Sequence, residues 1–213
     1  MYRHYCNYKY FYIESSDMSF FDNTKIVGWM LFVIGILSLI DAIIQIVNGA
    51  TSDGGIVDNI GYVIAGLGAL IGALILFGFG NKVRVGAVSS KLAIVAGFVK
   101  TIGAMTVVSG IFGIIGGIIV ASSNWGVLGG GVICLILGLI ILFFGGKIDD
   151  GKNTGFDKIL WVILVVIFAI LMISNLFAIG GGILDIISAV CGFIMYLFIL
   201  VFMFDKEIKK AML

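Results

Sequence analysis

Apolar residues run along this chain in six long, nearly continuous stretches, at about 26–48, 57–79, 91–120, 127–145, 159–178 and 183–204. A bilayer core about 30 Å thick is crossed by roughly 20 helical residues, so each stretch predicts a transmembrane helix. Strands are excluded by length. Outside a closed barrel, only a helix satisfies its own backbone in lipid. The third stretch is long for an upright crossing. It predicts a tilt or a bend near Gly97 and Gly103, or an interfacial first turn, with Lys100 extending its ammonium to the headgroups.

The polar gaps alternate in kind. Lys25 precedes the first stretch. Lys82, Arg84, Lys91 and Lys100 surround the second gap, Lys147, Lys152 and Lys158 the fourth, and Lys206, Lys209 and Lys210 follow the sixth. The first, third and fifth gaps hold no Lys or Arg. Cations collect in cytoplasmic loops, so both termini are expected in the cytoplasm. The aromatic residues agree, with Trp29 and Trp161 at the inner interface and Tyr62 and Trp125 at the outer one.

The stretches also resemble one another in pairs. The second, fourth and sixth end in LILFGFGNK, LIILFFGGK and FILVFMFDK, each closing on a lysine (Lys82, Lys147, Lys206). The first and fifth open as KIVGWM and KILWVI, and the third carries KTIGAM. The expected fold is an all-α polytopic membrane protein, its six transmembrane helices arranged as three helical-hairpin repeats about an axis along the membrane normal. An inverted repeat of the first three spans against the last three fits the same lengths. Many transporters use one, but no residue pattern here supports it.

Composition narrows the class. The chain has 213 residues, is 61% hydrophobic and 12% charged, and has a mean hydropathy of +1.22. Soluble domains carry about 25% charge. A net charge of +1 leaves no electrostatic basis for a nucleic-acid partner. With no proline and 31 glycines, tight turns fall to Gly, Asn and Ser. Cys6, Cys134 and Cys191 form neither a disulfide framework nor a metal site. Residues 1–17 (MYRHYCNYKYFYIESSD) have no helical or strand period and no signal-peptide core. The expected organisation is therefore a leader at 1–17, with Met18 as the start of translation, and a single six-helix domain at 18–213. The alternative for the leader is an aromatic segment lying at the cytoplasmic interface.

Small residues mark the helix contacts, because lipid gives helices no hydrophobic reason to associate. Gly68 and Gly72 on the second span, with a column Gly61, Ala65, Ala69 and Ala73, and Gly113 and Gly117 on the third are the expected packing positions. Pairing of these two spans is expected first. The fifth span has almost no small residues before Ala169 and reads as peripheral. Gly66, Gly68 and Gly72 superficially match a dinucleotide fingerprint, but that motif needs a preceding strand.

Polar groups inside spans are expensive and call for a functional reading. Ser38, Asp41, Gln45 and Asn48 share one face of the outer half of the first helix. Asp41, Gln45, Asp58 and Asp185 form a candidate outward-facing acidic vestibule for a small cation, with Asp53, Ser174, Asn175 and Ser188 nearby in depth. The plainer reading makes Asp58 and Asp185 helix N-terminal residues favoured by the dipole and makes the rest partners for neighbouring helices. The mixed charges at 147–158 read as a solvated loop, and 206–210 as a short cytoplasmic end. The spans contain no histidine and no nucleophile–base arrangement, so neither catalysis nor a cofactor is expected. The expected partners are the lipid bilayer and a second copy or other membrane subunits. The expected role is a structural or accessory protein of a prokaryotic cell membrane, with a cation channel or transporter as the alternative. The plan of six spans in glycine-rich hairpins resembles the small six-span membrane proteins of the HdeD type. That resemblance implies the architecture and carries no function.

Overall fold

The computed structural model describes residues 23–52, 55–120, 124–148, 150, 155–177 and 183–213, apart from the side chains of 184 and 185. All elements among the described residues are helices: α1 (Thr24–Ala50), α2 (Ile56–Arg84), α3 (Lys91–Ile119), α4 (Trp125–Ile148), α5 (Gly155–Phe177), α6 (Ile183–Met203) and α7 (Lys206–Met212). Six of them are long and apolar enough to cross a membrane. The leader at 1–17 lies outside the described residues. α3 runs unbroken from Lys91 to Ile119, so its length is accommodated without an interruption at Gly97 or Gly103.

Polar caps set the helix starts. The Asn23 side chain accepts the Lys25 amide, Ser90 that of Ala93, and Asp205 that of Glu207. Each satisfies one of the orphan donors of a first turn.

α1 and α2, α2 and α3, α3 and α4, and α5 and α6 run antiparallel, and two pairs are zipped along a seven-residue repeat. On α1 the buried small residues are Gly28, Gly35, Ala42 and Gly49. They meet α2 in reverse order. Carbon added at Gly28 would lie 2.3 Å from the Arg84 backbone, at Gly35 2.7 Å from Phe77 Cα, and at Gly49 2.9 Å from Tyr62 Cβ. α3 and α4 repeat the device. Gly103, Gly110 and Gly117 face Leu142, Leu135 and Leu128, while Gly131, Gly138 and Gly145 face Ile114, Val107 and Lys100. A sustained seven-residue period keeps two helices in register along their length, and the absence of side chains lets the backbones approach.

This corrects one expectation. Gly113 and Gly117 face α4 rather than α2, with Gly113 lying against Gly131. The α2–α3 contact is made instead by Gly61 with Gly116 and by Gly68 with Phe112. Gly72 also faces α3, but with room, since a Cβ there would stand 3.5 Å from Met105.

The third hairpin is built differently. α5 buries the stripe Asp157, Leu160, Leu164 and Phe168, and α6 places Gly192 against the Asn175 side chain rather than a facing backbone. The fifth span is peripheral in that it packs chiefly on α6, yet Leu164 is only 4% exposed.

The apolar core lies toward the end of the bundle that carries the cations. It joins Val27 and Leu31, Leu76 and Val83, Ile94 to Val99 with Gly97 half-buried among them, Leu160 to Phe168 on their buried stripe, and Met195 to Met203. α7 closes this end, with Ile208 and Met212 buried in the same core. Toward the opposite end, Ile43, Ile44, Val47, Ile56, Val57, Ile183, Ile186 and Ile187 are exposed.

Candidate functional site

The basic end is held by polar contacts that cross between helices. Lys91, the first residue of α3, pairs with Asp205 at 2.6 Å, and Ser90 donates to Glu207 at 2.7 Å. Lys91 beside it, and the Glu207 amide, hold the Asp205 carboxyl below the usual carboxylate range. The Arg84 guanidinium lies 4.7 Å from the Trp29 ring and 4.1 Å from that of Phe32, and donates to Asn81 at 2.7 Å. Trp161 Nε1 donates to the Met203 carbonyl at 2.8 Å. Asp157, expected in a solvated loop, is buried in the first turn of α5, where the helix dipole favours a carboxylate. Lys147, in the last turn of α4, pairs with Asp150 at 2.8 Å.

The polar stripe of α1 forms as its spacing requires. Gln45 Nε2 donates to Asp41 Oδ2 at 2.8 Å, a contact one turn long. Both residues are exposed. Gln45 then lines a groove of about 530 Å³ with Asn48, Ser52 and Tyr62. Around its mouth, Asn59 donates to the Ala50 carbonyl at 3.1 Å and accepts from Ser52, while Asn124 donates to the Tyr62 hydroxyl at 3.3 Å. Asp58 is half-buried in the first turn of α2, one turn before Tyr62 on the same helix face.

A second cavity, of about 310 Å³, lies between α1, α5 and α6, and its polar residues are Ser174, Asn175, Ser188 and Tyr196. Of the candidate acidic group, the structure joins Asp41 to Gln45, and Gln45 lines the first groove. Neither cavity is lined by Asp41 or Asp58. The Asp185 side chain and Asp53 lie outside the described residues. The physical reason is helix register. Asp41 reaches the groove only through Gln45, whereas Asp58 stands at the rim of a different helix.

Sequence reasoning missed Tyr196, which sits in an apolar run with nothing polar at helical spacing beside it. It also missed the docking of α7. There the signal was present: Asp205 caps a turn whose Ile208 and Met212 are spaced four apart. No group of three or more His, Cys, Asp or Glu is placed to hold a metal among the described residues.

Six helices long and apolar enough to cross a membrane define the class as a helical membrane-spanning protein. Comparison with protein-family models, curated proteins and solved structures gives no match.

Proposed function

We propose that this is a structural or accessory integral membrane protein, acting through helix packing and assembly rather than by catalysis. The observation that carries the reading is the unequal treatment of glycine on α4. Gly131, Gly138 and Gly145 are buried in the seam with α3, whereas Gly129 and Gly130 are exposed, and a Cβ on either would meet nothing within 4 Å. Small residues in lipid have their use where another helix approaches. Two bare glycines on the open side of α4, near Trp125, fit the approach of a further helix from a second copy or another membrane subunit. The two glycine seams supply the stiff body on which that surface is presented. Three hairpins with both termini in the cytoplasm of a cell membrane belong to the same reading, supported by the positions of the cations.

The test is oligomeric mass in mild detergent. Gly129→Leu should fold as well as wild type and lose mass to the protomer. An unchanged assembly, or a wild type that is already a protomer in native membranes, overturns the reading.

A second reading rests on the Asp41–Gln45 pair and the groove beyond it. A carboxylate on the outer half of a membrane helix, paired among the described residues with a neutral amide, suits a hydrated monovalent cation. Melting of wild type and Asp41→Asn in sodium, potassium and a bulky organic cation tests it. Equal shifts in both proteins remove it.

A further inference from the structure

The cavity between α1, α5 and α6 differs in kind from the groove at the outer end. Its volume, about 310 Å³, equals that of roughly ten waters at about 30 Å³ each. It exists because the third hairpin lacks a glycine seam. Asn175 fills the space in front of Gly192, its Oδ1 standing where a Cβ on Gly192 would lie. Ile34 of α1 stands ten residues into its helix, about 15 Å along the axis at 1.5 Å per residue. The cavity thus runs from mid-span at Ile34 to the last turn of α5, where Ser174 and Asn175 stand.

Its hydrogen-bonding groups form an incomplete set. Ser174 donates to the Ile170 carbonyl at 2.8 Å and Asn175 to the Leu171 carbonyl at 2.7 Å, so both have a donor engaged on their own helix and an oxygen remaining. The Ser188 hydroxyl and the Tyr196 phenol line the cavity and have no hydrogen-bond partner among the described residues. A tyrosine hydroxyl at this depth normally finds a partner, and leaving two donors unmet among apolar helices carries a desolvation penalty. Two free donors and two acceptor oxygens suit a head group that both gives and takes hydrogen bonds. Among the described residues, no charged side chain lines the cavity. An ionised head would have no counter-charge there and would lose its hydration uncompensated. Ile34, Leu171 and Met195 supply apolar wall for a chain.

We propose that this cavity binds an uncharged amphiphile, with a hydroxyl or ester head held by Tyr196, Ser188 and Asn175 and an acyl chain running along the apolar wall. The occupant comes from the bilayer rather than from water, because an apolar wall beside a neutral polar floor favours a molecule that has both parts. In this role the lipid would wedge the third hairpin against the α1–α4 body. The claim involves other helices than the α4 assembly surface, so either can fail alone.

The test uses the full chain, purified in detergent and stripped of lipid, with monoolein as probe. Monoolein should raise the melting temperature and survive as an adduct in native mass spectrometry. The Ser188→Ala, Tyr196→Phe double variant removes both free donors without changing shape, and should bind about tenfold more weakly or worse, as two lost hydrogen bonds imply. Ionised oleate, oleylamine and glycerol should give no comparable shift. Leu171→Trp, which fills the cavity from its apolar side, should abolish the adduct even if the double variant proves unstable. Monoolein bound equally by wild type, the double variant and Leu171→Trp overturns the site. Equal effects of oleate or oleylamine overturn the uncharged head. An equal effect of glycerol overturns the bilayer as the source.

Discussion

Gly110→Ala tests the glycine seam in its simplest form. The added methyl would stand 2.5 Å from Leu135 N and 2.7 Å from Leu135 Cα, where ordinary contact begins at 3.4 Å. The obstacle is backbone, so no rotamer change relieves it, and α3 and α4 must part by roughly 0.9 Å at this level. Gly103 and Gly117 lie one repeat away on the same face with Cβ positions 2.7 Å and 2.5 Å from the α4 backbone, so the parting loosens their contacts too. Overpacking of this kind costs about 1–3 kcal/mol. Alanine returns about 1 kcal/mol of helix propensity over glycine. The net expectation is a loss of up to about 2 kcal/mol. Gly72→Ala is the control. Its methyl meets Met105 at 3.5 Å, so only the propensity gain operates and stability should hold or rise by up to about 1 kcal/mol. Reversible unfolding by SDS in mixed micelles, followed by circular dichroism, measures both. Gly110→Ala more stable than wild type, or Gly110→Ala as stable as Gly72→Ala, would refute the argument that backbone approach holds these hairpins.

The remaining expectations are quicker to check. With native cysteines replaced, single cysteines at Ser52 and Asn124 should react with an impermeant maleimide on intact cells, and reaction only after permeabilisation would reverse the orientation. The Asp205 carboxyl is held below its ordinary value of 3.8, so its contribution to α7 docking is complete above that pH and is lost as pH falls through the lowered value. Hydrogen exchange of the α7 amides should accordingly quicken in acid, and Asp205→Asn should show the faster rate already at neutral pH. An Asp205→Asn protein with wild-type exchange would mean that Ile208 and Met212 alone hold α7. Leu164→Ala should destabilise by about 2–5 kcal/mol, the range for truncating a buried leucine, and a neutral effect in the SDS titration would place α5 outside the core.

The spans were plain in the sequence because lipid imposes one requirement, length without charge, and the chain meets it six times. The seams were less plain. Gly68 and Gly72 stood out as a pair four residues apart, whereas Gly28, Gly35, Ala42 and Gly49 are seven apart and hide among 31 glycines. A period of seven marks contact along a whole helix pair, and it separates Gly113 and Gly117, which face α4, from Gly116, which faces α2. Helical spacing correctly joined Asp41 to Gln45, since both lie on one helix. It could not place Asp58 relative to them, because the relation between helices depends on how far the hairpins splay. Tyr196 illustrates the same limit. Its hydroxyl matters only because Asn175, on another helix, lines the same cavity.

The central claim is that the open glycines of α4 receive another helix. With Cys6, Cys134 and Cys191 replaced by serine, Gly129→Cys and Gly131→Cys can be oxidised in native membranes and resolved by mass. A covalent adduct, of twice the protomer mass for self-assembly, is expected from Gly129→Cys alone, because position 131 is sealed against Gly113 and Ile114. No adduct from Gly129→Cys, or equal adducts from both positions, would contradict it.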